Sequence, residues 1–272
     1  MFWIIRRIWR DFPTYDPAAR YALVVGLGLL IILLLALFFG APEFRIYAAI
    51  GAGLTVIVME VAVLWANRRM VTPYTQAQRA YLRGDFDETR RILEAEHETG
   101  RADMRSLTLL GNTYRQLGLL AKSRDVLAEA VDRGQNHHFP LYGLGRTLLS
   151  QGDYAEAFDV LARAVQAGAP PVVQLDVVEA LYRAGRFDEG AHLLRTLEQD
   201  RTLSEGAEPH RLLMAALLRH RLLGAPVPSP ELVAAGLPFW EAASDRFADS
   251  PYSQALMQDI AFFSAIMNER RT

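Results

Sequence analysis

A glycine followed two positions later by Phe, Tyr or Leu recurs at Gly84 and Phe86, Gly118 and Leu120, Gly152 and Tyr154, and Gly185 and Phe187, at spacings of 34, 34 and 33 residues. With each glycine set at the turn of a helix-turn-helix, other positions fall into register. Nine residues after the glycine stands Leu93, Leu127, Leu161 or Leu194, and five after it the residue is small: Thr89, Ser123, Ala157 or Gly190. Seven before it stand Ala77, Gly111, Gly145 and Val178, where a second close helix crossing is expected. A unit of this size cannot bury its apolar face alone, so the copies must stack on one continuous core.

The strings "LTLLGNTYRQLG" (residues 107–118) and "QGDYAEAFDVLARAV" (residues 151–165) resemble the tetratricopeptide repeat family, and the likeness extends over about residues 70–197. It implies an all-α solenoid whose first helices line a concave groove for a segment of a partner protein. By spacing, the groove positions are Tyr74, Gln78 and Tyr81, then Arg105, Thr108, Asn112 and Arg115, then Tyr142 and Arg146, and finally Leu175, Glu179, Tyr182 and Arg183. Arginine forks take carboxylates in pairs and tyrosines offer rigid apolar area, so the expected ligand is an acidic or C-terminal peptide segment. The chaperone-tail clamp of some relatives is rejected: Asn112 fits one of its positions, but Gly143, Val172 and Asp176 occupy others.

Past residue 200 the period fades. A divergent fifth pair is expected, its first helix ending at Gly224 and its second running over residues 238–247, followed by a helix over residues 251–270 that caps the end of the stack. That last helix carries Tyr252, Leu256, Ile260, Phe263 and Met267 at helical spacing, and partner binding by it is the alternative.

An apolar segment of another kind precedes the repeats. Residues 21–39 carry no charge, and residues 46–65 are interrupted only by Glu60; each approaches the ~20 residues that a membrane-crossing helix needs. A two-helix transmembrane hairpin over residues 21–66 is therefore expected. A cleaved leader competes, but Pro42 follows the one small-residue site and a second apolar run comes directly after. Arg6, Arg7, Arg10 and Arg20 before the hairpin, and Arg68, Arg69, Arg79 and Arg83 after it, outnumber Arg45 in the turn. Both termini and the repeats are thus expected on the cytoplasmic side of the plasma (inner) membrane. Small residues at Ala36, Gly40, Ala48, Ala49, Ala52 and Gly53 suit a close helix contact.

Within residues 1–20, Trp3, Arg6, Arg7, Trp9 and Arg10 belong to a stretch with apolar and basic arcs, expected to lie on the bilayer surface. Glu60 is placed about 8 Å below the cytoplasmic boundary by its distance from Trp65. Its expected role is structural or subunit-pairing, since one carboxylate in two helices makes no proton pathway.

Chemistry-bearing motifs are absent. There is no cysteine, the histidines lack metal-ligand spacing, and no phosphate loop or dinucleotide fingerprint appears. No enzyme activity, cofactor, metal or nucleic-acid partner is expected, the last also because the net charge is only -2. The expected function is a membrane-anchored scaffold that recruits proteins through its repeats, with an accessory subunit of a membrane enzyme or transporter as the alternative.

Overall fold

The computed structural model describes residues 17–67, 72–134, 137–199 and 208–269. Among these, all regular structure is helical, in thirteen helices that fall into two units, Met1–Thr72 and Pro73–Thr272. The surface helix expected to carry Trp3, Arg6, Arg7, Trp9 and Arg10 lies outside the described residues, as do Arg68 and Arg69.

In the first unit, α1 (Pro17–Phe39) and α2 (Pro42–Asn67) pack along each other as a hairpin. Small side chains form the seam, stepping by four and then three residues through Ala48, Ala52 and Thr55, all buried. Gly51 meets the Leu33 side chain, and Met59 fills the place a Cβ would take at Gly26. The Thr55 hydroxyl donates to the Gly51 carbonyl at 2.8 Å, so its burial leaves no orphan. Ala49 and Gly53, expected at this contact, face outward instead, because the seam follows one stripe of α2 and they sit off it.

The flanks of the hairpin are apolar and exposed, among them Val25, Ile32, Phe38, Tyr47, Ile57 and Val58. Glu60 lies on this exposed surface. By length and composition Pro42–Ala62 is long and apolar enough to cross a membrane, whereas the apolar part of α1, Val24–Phe39, is shorter.

The second unit is a solenoid of helix pairs: α3 (Pro73–Leu82) with α4 (Phe86–Glu98), α5 (Met104–Gln116) with α6 (Leu120–Gly134), α7 (His138–Gln151) with α8 (Tyr154–Gln166), and α9 (Val173–Arg183) with α10 (Phe187–Gln199). The expected register holds. Leu93, Leu127, Leu161 and Leu194 are fully buried, and Leu127 and Leu161 occupy the space that a Cβ would take at Gly111 and Gly145. Where the crossing residue has a hydroxyl, it binds the facing first helix: Ser123 donates to the Gly111 carbonyl at 2.7 Å and Thr89 to that of Ala77 at 3.3 Å. Asp85 and Asp103 cap α4 and α5 by accepting from the amides of Glu88 and Ser106. His137 does the same for α7 through Nδ1, which accepts from the Phe139 amide at 3.1 Å.

A fifth pair follows, α11 (Pro209–Leu223) with α12 (Pro230–Arg246), and then α13 (Pro251–Glu269). The second helix of this pair begins eight residues before the expected start at Pro238. Ser229 caps it, Pro230 opens it, and Pro238 is accommodated inside.

The expectation that α13 caps the end of the stack is corrected. It folds back against α7, the first helix of the third pair. Leu256 and Phe263 join one core with Leu148, Leu161, Val178 and Leu213, while the first two repeats keep a separate core around Leu93, Leu107 and Leu110.

Candidate functional site

The first helices α3, α5, α7, α9 and α11 form the inner face of the solenoid. Its two halves differ. Over α3 and the start of α5, Gln78 and Arg105 are exposed, and Tyr74 and Tyr81 are half-buried against the first core, Tyr81 edge-on to Phe86 at 5.3 Å. Thr108 is buried and donates to its own helix at the Met104 carbonyl.

Over α7 and α9 the inner face is occupied by the chain itself. Arg146 pairs with Asp176 at 2.7 Å, and Arg211 of α11 reaches both Asp176 (3.4 Å) and the Tyr142 hydroxyl (2.6 Å). Arg183 pairs with Asp259 of α13 at 2.6 Å, and the Tyr252 hydroxyl, also from α13, donates to Glu179 at 2.8 Å. Asp176, Glu179 and Asp259 are all at most 4% exposed, a depth at which an uncompensated charge is costly. Burial pushes the Glu179 carboxyl up from its ordinary value, against the opposing pull of Arg183 and Arg146. Tyr182 is half-buried and packs toward Phe187 at 5.8 Å.

Arg146 and Arg183, expected as free groove cations, are thus neutralised within the chain. The basic character assigned to this half of the groove is corrected: buried carboxylates from the neighbouring first helix and from α13 take up the guanidinium groups. The sequence reading missed Arg211, Tyr252 and Asp259 as members of this network. One signal was available for Asp259, a carboxylate on the same stripe of α13 as Leu256 and Phe263, which could be buried there only opposite a cation.

Two turn glycines are shaped for this closure. Besides a left-handed backbone, Gly118 has the Arg246 carbonyl 2.7 Å from where a Cβ would stand, and Gly152 has the Pro251 ring at the same distance. Nothing lies within 4 Å of the equivalent point at Gly84 or Gly185. The turn between α12 and α13 is therefore seated on the turns of the second and third repeats.

Between α5, α7, α9, α11 and α12 a cavity of about 580 Å³ remains, with Arg115, Arg146, Arg211 and Arg246 on its wall. Arg115 donates to Asn112 Oδ1 at 3.2 Å, and Arg246 donates to Gln116 Oε1 at 2.5 Å. No group of three or more His, Asp or Glu placed to hold a metal occurs among the described residues.

This geometry defines an all-helical solenoid of stacked helix pairs. A tetratricopeptide repeat family model matches residues 141–170. Among solved structures the chain is similar to "MamA MSR-1 C2", at 20% identity and TM-score 0.46, covering 65% of this chain and 96% of that one. It is also similar to MamA from Desulfovibrio magneticus RS-1, at 18% identity and TM-score 0.46 over 69% and 94% of the two chains. A thermophilic TPR protein of Thermus thermophilus gives 18% identity and TM-score 0.46 over 70% and 95%. No curated protein matches.

Proposed function

We propose that the chain is a membrane-anchored scaffold that gathers a partner protein on the uncovered part of its repeat stack, with the hairpin in the plasma (inner) membrane and both termini and the repeats on the cytoplasmic side. The observation that carries this reading is the contrast between two surfaces. The hairpin leaves its apolar flanks exposed, which suits lipid, whereas the inner face over α3 and the start of α5 offers polar groups and tyrosine surface with no occupant among the described residues. Holding that face at a bilayer raises the effective concentration of whatever binds it.

The partner segment is expected to be acidic, since Arg79, Arg83 and Arg105 are exposed on or beside α3 and α5. In-cell crosslinking tests this. Gln78→Glu with Arg105→Glu abolishes capture of the partner while leaving the melting temperature unchanged; capture that survives both substitutions removes the groove reading. The chain lacks cysteine, so a cysteine introduced in the α1–α2 turn and another after residue 269 report sidedness to an impermeant maleimide. Labelling of the C-terminal cysteine from outside intact cells contradicts the orientation.

Glu60 favours a second reading, an accessory subunit of a membrane complex. A carboxylate exposed on an apolar helix surface calls for a polar partner within the bilayer. Loss of the associated proteins on Glu60→Leu, with the groove variants neutral, selects that reading.

A further inference from the structure

The cavity beneath the C-terminal hairpin has an uneven charge pattern. Two of the four arginines on its wall, Arg146 and Arg211, converge on Asp176. The other two have no carboxylate partner among the described residues. Arg115 rests on the Asn112 amide oxygen, and its Nε is buried with nothing to donate to. Arg246, exposed on α12, is held by the Gln116 amide oxygen next to Arg115.

A guanidinium is a planar fork that matches a carboxylate two bonds at a time, and an amide oxygen satisfies only part of it. Burial, with the neighbouring charge of Arg146, also lowers the Arg115 pKa, the mark of a cation short of compensation. The remaining wall is mixed, with Leu175, Met214 and Trp240 giving apolar surface alongside Asp176, Glu179, Glu208 and His210. At about 580 Å³ the cavity is of the size that accepts a small organic molecule or the last residues of a peptide.

We infer that this cavity is a binding site for an organic carboxylate with an apolar body, whose carboxyl group is seated by Arg115 and closed over by Arg246 from the C-terminal hairpin. The carboxylate can come from the free C-terminus of a peptide ending in an apolar residue or from a free acid. Either source gives the site the same chemistry and makes the C-terminal hairpin one wall of a pocket. The site is distinct from the open groove proposed above, because it uses the C-terminal end of α5 and the C-terminal hairpin, whereas Gln78 and Arg105 lie on α3 and at the start of α5.

Calorimetry on the full chain in detergent decides the matter with four probes: an acetylated tetrapeptide acid ending in leucine, the same peptide amidated, 3-phenylpropionate, and inorganic phosphate. A carboxylate probe is expected to bind, with the amidated peptide and phosphate each at least about tenfold weaker. Arg115→Gln and Arg246→Gln each weaken that probe by about tenfold or more at an unreduced melting temperature, and Arg115→Lys, which keeps the charge and loses the fork, falls between. Binding of the peptide acid alone identifies a chain terminus as the source, and binding of 3-phenylpropionate a free acid. Equal binding of acid and amide, phosphate binding as tight as carboxylate, indifference to both glutamine variants, or no carboxylate binding at millimolar concentration overturns the inference. Partner capture that depends on Gln78 and Arg105 is unaffected by any of these outcomes, so the two proposals fail separately.

Discussion

The first two repeats and the three pairs that follow share one building plan and meet different ends. Both halves place a leucine nine residues after a turn glycine and small residues at the helix crossings. In the first half the inner face ends in exposed Gln78 and Arg105. In the second half the same face is sealed by α12 and α13 and laced with ion pairs. The difference teaches that the repeat pattern determines how pairs stack, while the occupant of their concave side is decided by elements outside the pattern.

The two separate cores give the sharpest way to break this comparison. Phe263 is fully buried in the second, and Phe263→Ala costs about 4 kcal/mol of cavity and lost burial. Native-state hydrogen exchange should show lowered protection from α7 to α13 and little change in α3 to α6, as expected where each repeat feels mainly its neighbours. Uniform loss across all repeats would show that the halves are not energetically distinct.

The clasp itself comes next in size. Asp259→Ala leaves the Arg183 guanidinium buried with only the more distant Glu179, a loss of about 3 kcal/mol by urea denaturation. Replacing both partners, Arg183→Met with Asp259→Leu, recovers most of it, because neither member of the pair is then stranded and Glu179 keeps the Tyr252 hydroxyl at 2.8 Å and Arg146 at 3.7 Å.

The turn glycines sharpen the comparison further. All four adopt left-handed backbone, so alanine at Gly84 or Gly185 costs about 1 kcal/mol. At Gly118 or Gly152 the added methyl also strikes the Arg246 carbonyl or Pro251, and a further loss of about 1–3 kcal/mol is expected from the forced shift. Equal melting temperatures for the four variants would contradict the seating of the C-terminal turn.

The smallest effect is one of pH. Burial raises the Glu179 pKa from 4.5, so the folded state holds this proton more tightly than the unfolded chain. Stability therefore declines as pH rises from about 4.5 through the raised value, and is level above it. Glu179→Gln flattens that limb of the stability profile.

Much of the solenoid was legible in the sequence because its rules are local and repeated. The glycine turns, the crossing residues and the leucine series each recur at fixed offsets, and a helix pair has few ways to satisfy them. The path of α13 was not legible, since the apolar stripe through Leu256 and Phe263 says which face is buried and nothing about what buries it. The groove suffered for the same reason. Arg146 and Arg183 occupy the positions of ligand-binding residues, and only the fold brings Asp176 and Asp259 beside them. In the hairpin, composition indicated close packing, but the difference between Ala48 in the seam and Ala49 outside it depends on the helix rotation.

Closure of one half of the inner face and openness of the other can be measured directly, because the chain has no cysteine of its own. Single variants Gln78→Cys and Arg105→Cys in the open half, and Ser150→Cys and Ser253→Cys beneath and within the C-terminal hairpin, are labelled with a maleimide under native conditions. The account predicts rapid labelling at positions 78 and 105, and protection at 150 and 253 that is lost only when the hairpin is released by denaturant or by Asp259→Ala. Native labelling at 150 and 253 as fast as at 78 would mean that the C-terminal helices do not close the groove.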